Sequence, residues 1–315
     1  MDRRTFLQRC LWAVGTLGIS SGAALYFRDR RQSSGPLPTF RDHRSGLQIP
    51  GGIVQVHGKD IPSMVEIALK PFGGMEALIR PGEILLIKPN AAWDRTPEQA
   101  ANTHPEIVAA LVTMGLAAGA GSVIVADIAC NDPRKTFDRS GIRDAAERSG
   151  ASLVIPDTFV DVAYHGSFIQ SFPTGRVFLE ADRIINVPIV KHHSLTRATL
   201  GLKNWYGLLG GRRHKLHQMI HESVVDLAVA IKPTFTLMDA TRVLIANGPQ
   251  GGSLDNVRSM GLIAAGTDPV ALDAWGAGLL GLTPLDLPFI RLGRAAGLGT
   301  HEYGTIMREE IDLEA

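Results

Sequence analysis

The sequence predicts an α/β protein with a largely parallel sheet, or sheets, covered by helices on both faces. Short apolar runs such as EILLIKPN (residues 83–90) and SVIVAD (residues 122–127) alternate with longer stretches of helical periodicity. The chain has 315 residues, 45% of them hydrophobic and 20% charged, which is a globular composition with enough apolar material for a large core. Strands that alternate with helices in this way favour a parallel sheet buried between two helical layers.

The predicted elements follow one another in a regular order. A helix at 104–120 separates the first two strands, and the short helix IRDAAERSGA and the strand SLVIP come next. The run DRIINVPIVK (residues 182–191) predicts one strand, and HESVVDLAVAIK predicts a helix. Two strands, TFTLMDATRVLI and MGLIAAG, and a helix opened by Asp268 and Pro269 complete the pattern. The pattern weakens at SFPTGR, so two α/β subdomains with a boundary near residue 175 are an alternative to one domain.

Residues 1–31 predict an export signal or membrane anchor. The basic segment MDRRTFLQR precedes eighteen uncharged residues, and Arg3-Arg4-x-Phe6-Leu7 resembles the twin-arginine export motif. Such a stretch is also nearly long enough to span a bilayer, so both cleavage and retention as an anchor stay open. The segment 32–48 is predicted to be a linker and 49–315 the α/β domain. We therefore expect a periplasmic or extracytoplasmic protein that meets the twin-arginine translocase and touches a membrane only through its N-terminal segment.

Charge and cysteine content exclude several classes of function. The net charge is +1 and the positive excess lies in the first 31 residues, so the composition does not indicate a nucleic-acid-binding protein. Cys10 lies in the N-terminal segment, so Cys130 is the one thiol of the predicted folded body, which excludes a cysteine-ligated iron–sulfur cluster or a four-cysteine zinc site within this chain. The cofactor is otherwise left open.

Polar residues recur where the predicted strands end. Lys88 and Asn90 follow the first apolar run, and Asp127 ends the next. Lys191 and His193 follow another run, and Asp239 interrupts a further one. Ligands of open α/β sheets bind outside the carboxyl ends of the strands. These scattered residues therefore predict one candidate site at that edge of the sheet.

Three lysines in comparable positions predict a small anionic ligand, either a carboxylate or a phosphate. A lysine that ends an apolar strand needs solvent, an aspartate or a bound anion to stay charged. Lys191, His193 and Lys203 are the candidate catalytic residues, because a desolvated lysine can act as base or nucleophile and imidazole titrates near neutrality. The candidate substrate-binding residues are Lys88, Asn90, Asn204, Arg212 and Asp239.

Two histidines are candidate metal ligands. His217 and His221 are four residues apart, and on one helix they would lie on the same face and could hold a divalent metal. A solvated amphipathic helix is the alternative interpretation of this stretch.

Several motifs resemble one prokaryotic family. The stretches IKPN, GAGSVIVAD, IINVPIVKHHSLTRATLGLKNWYG and MDATRVLIANGPQGG resemble the domain-of-unknown-function family 362, over about residues 84–304. Its lysine-x-histidine-serine and leucine-lysine-asparagine pattern maps onto Lys191, His193, Ser194, Leu202, Lys203 and Asn204. Many relatives carry an attached ferredoxin-like segment with clustered cysteines. This chain departs from them in having no such segment, so any electron-transfer role implies a redox partner.

Two functions are consistent with these observations. The first is an exported enzyme that acts on a small anionic substrate, either by abstracting a proton beside a carboxylate, as an isomerase, racemase or lyase does, or in a redox step with an external donor. The second is a cofactor-binding or maturation protein that serves an exported redox partner.

Overall fold

The computed structural model describes residues 35–315, and the predicted export segment at 1–31 lies outside them. The strands are β1 (Ile53–His57), β2 (Ile84–Pro89), β3 (Ser122–Ala126), β4 (Ser152–Val154), β5 (Phe159–Ala163), β6 (Ser171–Gly175), β7 (Arg183–Val187), β8 (Ile189–His193), β9 (Arg197–Thr199), β10 (Phe235–Leu244), β11 (Val257–Gly266) and β12 (Met307–Asp312). The helices are α1 (Ile61–Leu69), α2 (Pro105–Ala117), α3 (Pro133–Arg139), α4 (Ile142–Arg148), α5 (Val177–Glu180), α6 (Ile220–Ala230), α7 (Pro269–Leu279) and α8 (Pro288–Ala295). Two 3₁₀ segments, Leu202–Leu208 and Arg213–Met219, lie between β9 and α6.

The main sheet is mixed and mostly parallel. Its strand order is β12-β1-β11-β10-β7-β2-β3-β4, and β8 pairs with β10 and β9. The pairs among β10, β7, β2, β3 and β4 are parallel, whereas β11 runs antiparallel to both β10 and β1. The α/β class is therefore confirmed.

Helices bury both faces of this sheet. Along β2, Leu85 and Ile87 pack into one apolar cluster with α1, α2 and α4, whereas Leu86 packs into a second cluster with α6, α7 and α8. Because successive side chains of a strand point to opposite faces, burial on both faces requires a continuous apolar run. This is the physical reason why ILLI reads as a strand in the sequence.

The strand predicted at 182–191 is two strands. β7 ends at Val187 and β8 begins at Ile189, because Pro188 between them has no N–H to donate to a sheet ladder. The Pro188 carbonyl instead accepts a hydrogen bond from the Asp239 backbone N–H at 2.8 Å. β7 pairs with both β2 and β10, whereas β8 pairs with β10 and β9, which places Lys191 at the carboxyl edge of the sheet.

The hairpin β5–β6 forms a separate two-stranded sheet at 159–175. Strands before and after it, such as β2 and β7, are neighbours in the ten-stranded sheet. The boundary near residue 175 and the other domain limits stay predictions. Within the described residues, no helix combines the length and apolar character needed to cross a membrane.

One buried arginine fastens the chain before β1 to the sheet. The Arg183 guanidinium binds both carboxylate oxygens of Glu83, at 2.7 and 2.6 Å, with the two side chains 5% and 20% exposed. Its remaining nitrogen donates to the carbonyls of His43 and Ser45, at 2.6 and 3.1 Å. The Arg183 hydrogen bond also lowers the pKa of Glu83, as expected for a carboxylate held in its charged form.

We predict that Arg183→Met lowers the free energy of unfolding by about 3 kcal/mol, because Glu83 and two carbonyls lose their donor. Arg143→Met is the control, because Arg143 pairs with Asp138 and Glu147 on the surface and its loss should cost about 0.5 kcal/mol. Urea unfolding followed by circular dichroism measures both values. Equal losses in the two variants would show that Arg183 has no special structural role.

Candidate anion-binding site

A cavity of about 590 Å³ opens at the carboxyl ends of β2, β3 and β8, and the two 3₁₀ segments contribute the rest of its lining. Seven of the ten predicted site residues line it: Lys88, Asn90, Lys191, His193, Lys203, Asn204 and His217. The other three, Arg212, Asp239 and His221, do not. The position of the cavity agrees with the strand-edge rule for α/β sheets.

Lys88 is paired inside the protein. Its ammonium donates to Asp127 Oδ1 at 2.7 Å, to the Pro89 carbonyl at 2.8 Å and to Asn204 Oδ1 at 3.2 Å. The side chains of Lys88 and Asp127 are 0% and 2% exposed. Burial lowers the pKa of Lys88 and the Asp127 charge opposes that effect. Since an ammonium has three N–H bonds, Lys88 has none left for a ligand.

Asp127 was a polar strand end in the sequence but not a predicted site residue. Besides pairing with Lys88, it accepts hydrogen bonds from the backbone N–H groups of Ala91, at 2.6 Å, and Ile128, at 2.9 Å. It therefore joins the loop after β2 to the loop after β3. The signal that could have found it was its position directly after a buried apolar run.

Lys191 is a buried cation without a carboxylate partner. It is 1% exposed and donates to Asn90 Oδ1 at 2.9 Å and to the Ala101 carbonyl. No Asp or Glu within 35–315 forms an ion pair with it, and burial lowers the pKa of its ammonium to about 7. Two of its three N–H bonds are used, so one remains for a ligand.

Lys203 is the least constrained of the three lysines. It lines the cavity, and its ammonium has neither a hydrogen-bond acceptor nor a carboxylate partner among the described residues. Most of the Lys203 side chain packs against protein atoms, and the rest stays accessible because the residue lines the cavity. Burial and the charge of Lys191 lower its pKa to about 7. All three of its N–H bonds are available to a ligand.

His193 is held in one neutral form. Its Nδ1 accepts hydrogen bonds from the backbone N–H groups of Leu195, at 3.0 Å, and Thr196, at 3.4 Å. The ring proton must then lie on Nε2, which leaves Nε2–H as a donor on a ring that lines the cavity. Burial and the charges of Lys203 and Lys191 lower the pKa of His193 to about 2. The expected titration near neutrality is therefore replaced by the role of a neutral hydrogen-bond donor.

Three buried asparagines connect Lys191 to the segment Leu202–Leu208. Asn90 Nδ2 donates to Asn204 Oδ1 at 2.9 Å, and Asn204 Nδ2 donates to Asn186 Oδ1 at 2.8 Å. Asn186 Nδ2 then donates to the Gly201 carbonyl at 3.1 Å. Asn90 and Asn204 also position two of the lysines, because their Oδ1 atoms accept hydrogen bonds from Lys191 and Lys88. Asn186, a polar residue inside an apolar strand, was missed.

Asp273 supports the same segment from helix α7. Its two carboxylate oxygens accept hydrogen bonds from the backbone N–H groups of Gly201, at 2.6 Å, and Leu202, at 3.1 Å. The side chain is fully buried and burial raises its pKa to about 8. The sequence carries no signal for this contact, because it joins residues 72 positions apart.

Arg213, and not Arg212, lines the cavity. The Arg213 guanidinium donates to the carbonyls of Ile128, Ala129 and Tyr206 at 2.9, 2.9 and 3.1 Å, and lies 3.5 Å from Cys130 Sγ. It therefore holds the loop after β3 against the first 3₁₀ segment. Arg212 is exposed outside the cavity.

Asp239 takes part in the fold and not in the cavity lining. It is fully buried, and it accepts hydrogen bonds from the His104 backbone N–H at 2.8 Å and from the Thr241 N–H and hydroxyl at 2.9 and 2.7 Å. These contacts join β10 to the start of α2.

The two candidate metal ligands lie in different surroundings. The regular α-helix begins only at Ile220, so His217 belongs to a 3₁₀ segment and the i, i+4 helical spacing does not apply. His217 lines the cavity with its ring 5.8 Å from that of Tyr206, whereas the His221 ring stacks on Phe289 at 6.1 Å. No group of three potential His, Cys, Asp or Glu ligands occurs within the described part of the chain.

The family described as Domain of unknown function (DUF362) matches residues 85–278. The chain belongs to this family. The match spans the cavity-lining residues from Lys88 to Pro249, which confirms the resemblance carried by the lysine-histidine and lysine-asparagine motifs.

Two further comparisons place this family member among known proteins. The Thylakoid-associated protein sll1697 of Synechocystis sp. is 29% identical over 241 residues, which are 73% of each chain. The crystal structure of a Thermotoga maritima protein, a structural-genomics target, aligns with a TM-score of 0.36 and 14% identity. The alignment covers 74% of this chain and 59% of that one, so this chain spans less than two thirds of the solved chain.

We predict that Gly207→Ala disrupts the Lys88–Asp127 pair. A Cβ atom at position 207 would overlap Asp127 Oδ1 and lie 2.5 Å from Lys88 Nζ, so the variant should lose about 2 kcal/mol of unfolding free energy. Gly278→Ala is the matched control, because its Cβ meets no atom within 4 Å in α7, and it should gain about 0.5–1 kcal/mol. Equal urea midpoints for the two variants would contradict the close approach at Gly207.

Proposed function

We propose that this protein is an enzyme that binds a small organic anion in the cavity and moves a proton on a carbon beside the anionic group. The observation that carries the proposal is the absence of a carboxylate partner, within residues 35–315, for Lys191 and Lys203, which line the same cavity. A buried charge is costly unless it is paired. An anion in the cavity would supply that pair.

The donors left free by the fold define how the anion would be held. Lys191 offers one N–H bond, Lys203 offers three and His193 offers Nε2–H, whereas Lys88 is saturated by Asp127, Pro89 and Asn204. A carboxylate or a phosphate has oxygen acceptors to match these donors.

Lys203 is the proposed base. Burial lowers the pKa of Lys203, so its ammonium gives up a proton more readily than one in water. In the fraction of complexes in which Lys203 is neutral, its free amine can take a proton from a carbon next to a carboxylate. The electron pair left on the carbon is delocalised onto a carboxylate oxygen, which accepts a hydrogen bond from His193 Nε2–H. Return of the proton to the opposite face of the same carbon completes a racemisation, and its return to another carbon that shares the delocalised electron pair completes an isomerisation.

Anion binding should weaken as the pH rises through about 7. Below that pH both lysines are charged and attract the anion, and above it each must first gain a proton, so affinity falls up to about tenfold per pH unit for each lysine. Small organic acids and phosphate esters, each with its neutral amide or triester, are compared by thermal shift of the purified protein. Proton NMR in D₂O then follows the loss of C–H signals from each acid that binds.

Two lysine variants separate the site from the general charge of the protein. Lys203→Met should abolish deuterium incorporation and weaken binding, whereas Lys215→Met, an exposed lysine of the next 3₁₀ segment, should leave both unchanged. The proposal fails if no acid stabilises the protein more than its neutral counterpart. The catalytic part fails if Lys203→Met incorporates deuterium at the wild-type rate.

We also propose that the protein acts outside the cytoplasm after twin-arginine export. The support is the Arg3-Arg4-x-Phe6-Leu7 motif, together with the thylakoid association in the name of the 29% identical relative. We predict that the full chain is recovered in the exported or membrane fraction, and that changing Arg3 and Arg4 to Lys retains it in the cytoplasm. Recovery of the unchanged chain from the cytoplasm would contradict this proposal.

A further inference from the structure

We infer that the ligand of this cavity is a dianion, a dicarboxylate or a phosphate monoester, with one negative charge for each of Lys191 and Lys203. The inference rests on the anion binding proposed above and adds the number of charges. It follows from the charges that line the cavity, from the donors that the fold leaves free and from the volume of the cavity.

Two lysines beside the cavity keep both an unpaired charge and free N–H bonds. Lys88 and Asp127 form an ion pair at 2.7 Å and cancel each other. The guanidinium of Arg213 also lacks a carboxylate partner within residues 35–315, but three backbone carbonyls accept its hydrogen bonds. Lys191, with one free N–H bond, and Lys203, with three, are left for an anion. A monoanion would pair with one ammonium and leave the other buried and unpaired, which is the costly arrangement.

The free donors match two anionic groups, or one that carries two charges. Lys191, Lys203 and His193 project from β8 and from the segment after β9, so the donors reach the cavity from two elements. The volume of about 590 Å³ lies in the range of small-molecule sites, roughly 300–1,000 Å³, and admits a dicarboxylate or a phosphate ester with an organic body. Trp93, Leu195 and Tyr206 line the cavity where that body would pack.

Proton uptake on binding counts the ligand charges. At about pH 8.5 both lysines are mostly neutral in the empty cavity, because burial lowers the pKa of each to about 7. When a dianion binds and both lysines become charged, the protein takes up about two protons. When a monoanion binds, the protein takes up about one. The titratable or charged groups that face these lysines or line the cavity are Lys88, Asp127, Cys130, His193, Tyr206, Arg213, His214 and His217.

The test is isothermal titration calorimetry of the purified protein at about pH 8.5, in buffers that differ in ionisation enthalpy. Succinate is compared with succinamate, and methyl phosphate with dimethyl phosphate, so each dianion has a monoanion of nearly the same shape. We expect the dianion of at least one pair to bind about tenfold or more tightly than its monoanion and to take up about two protons. The ligand pair that shows this difference in affinity and proton uptake distinguishes a dicarboxylate site from a phosphate site.

Two variants assign the protons. Lys203→Met should reduce the uptake with the dianion to about one proton and remove the preference over the monoanion. Lys215→Met, at an exposed lysine outside the cavity lining, should behave as the wild type.

Two outcomes overturn the inference in distinguishable ways. If both members of each pair bind with equal affinity and equal proton uptake, the ligand is not selected as a dianion, although anion binding stands. If neither member of either pair binds, the proposed anion binding itself fails, and the dianion inference fails with it.

Discussion

The buried ion pair of Lys88 and Asp127 holds the carboxyl edge of the sheet together. Lys88 ends β2 and Asp127 directly follows β3, so their 2.7 Å contact joins the ends of two central parallel strands. Asp127 also accepts hydrogen bonds from the backbone N–H groups of Ala91 and Ile128, in the loops after β2 and β3. Lys88 donates a hydrogen bond to Asn204 in the 3₁₀ segment. Only glycine fits at position 207 beside this pair. The loops that line the cavity are therefore positioned by one charge pair that solvent does not reach.

The pair also explains why the remaining lysines differ from Lys88. Asp127 is already committed, so it cannot neutralise Lys191, which is held only by neutral oxygen acceptors. Lys203 has no hydrogen-bond acceptor among residues 35–315, and the charge of Lys191 lowers its pKa further. The fold thus keeps two ammonium groups at pKa values near neutrality beside a neutral histidine. A site of this kind exchanges protons easily at physiological pH.

Much of the site could be predicted because strand ends in an α/β sheet converge. Lys88, Asn90, Lys191 and His193 were recognised by their place after apolar runs, and they line one cavity. Asp239 followed the same pattern and was misplaced, because it lies within β10, whose pairing continues to Leu244, and so does not reach the edge. The sequence pattern identifies a polar residue in a strand but not how far that strand extends.

The sequence by itself determined the α/β alternation, the family and the edge of the sheet at which polar groups gather, because burial of both sheet faces forces apolar runs that end in polar residues. Only the tertiary structure decided which charges are paired. Lys88 and Asp127 are 39 positions apart, and Asn90 and Lys191 are 101 apart. Hydrogen-bond partners at such separations are chosen by the stacking of strands and loops. Burial and the charges of Lys203 and Lys191 decided that His193 is neutral, and the long-range contacts decided that two lysines are left for a ligand.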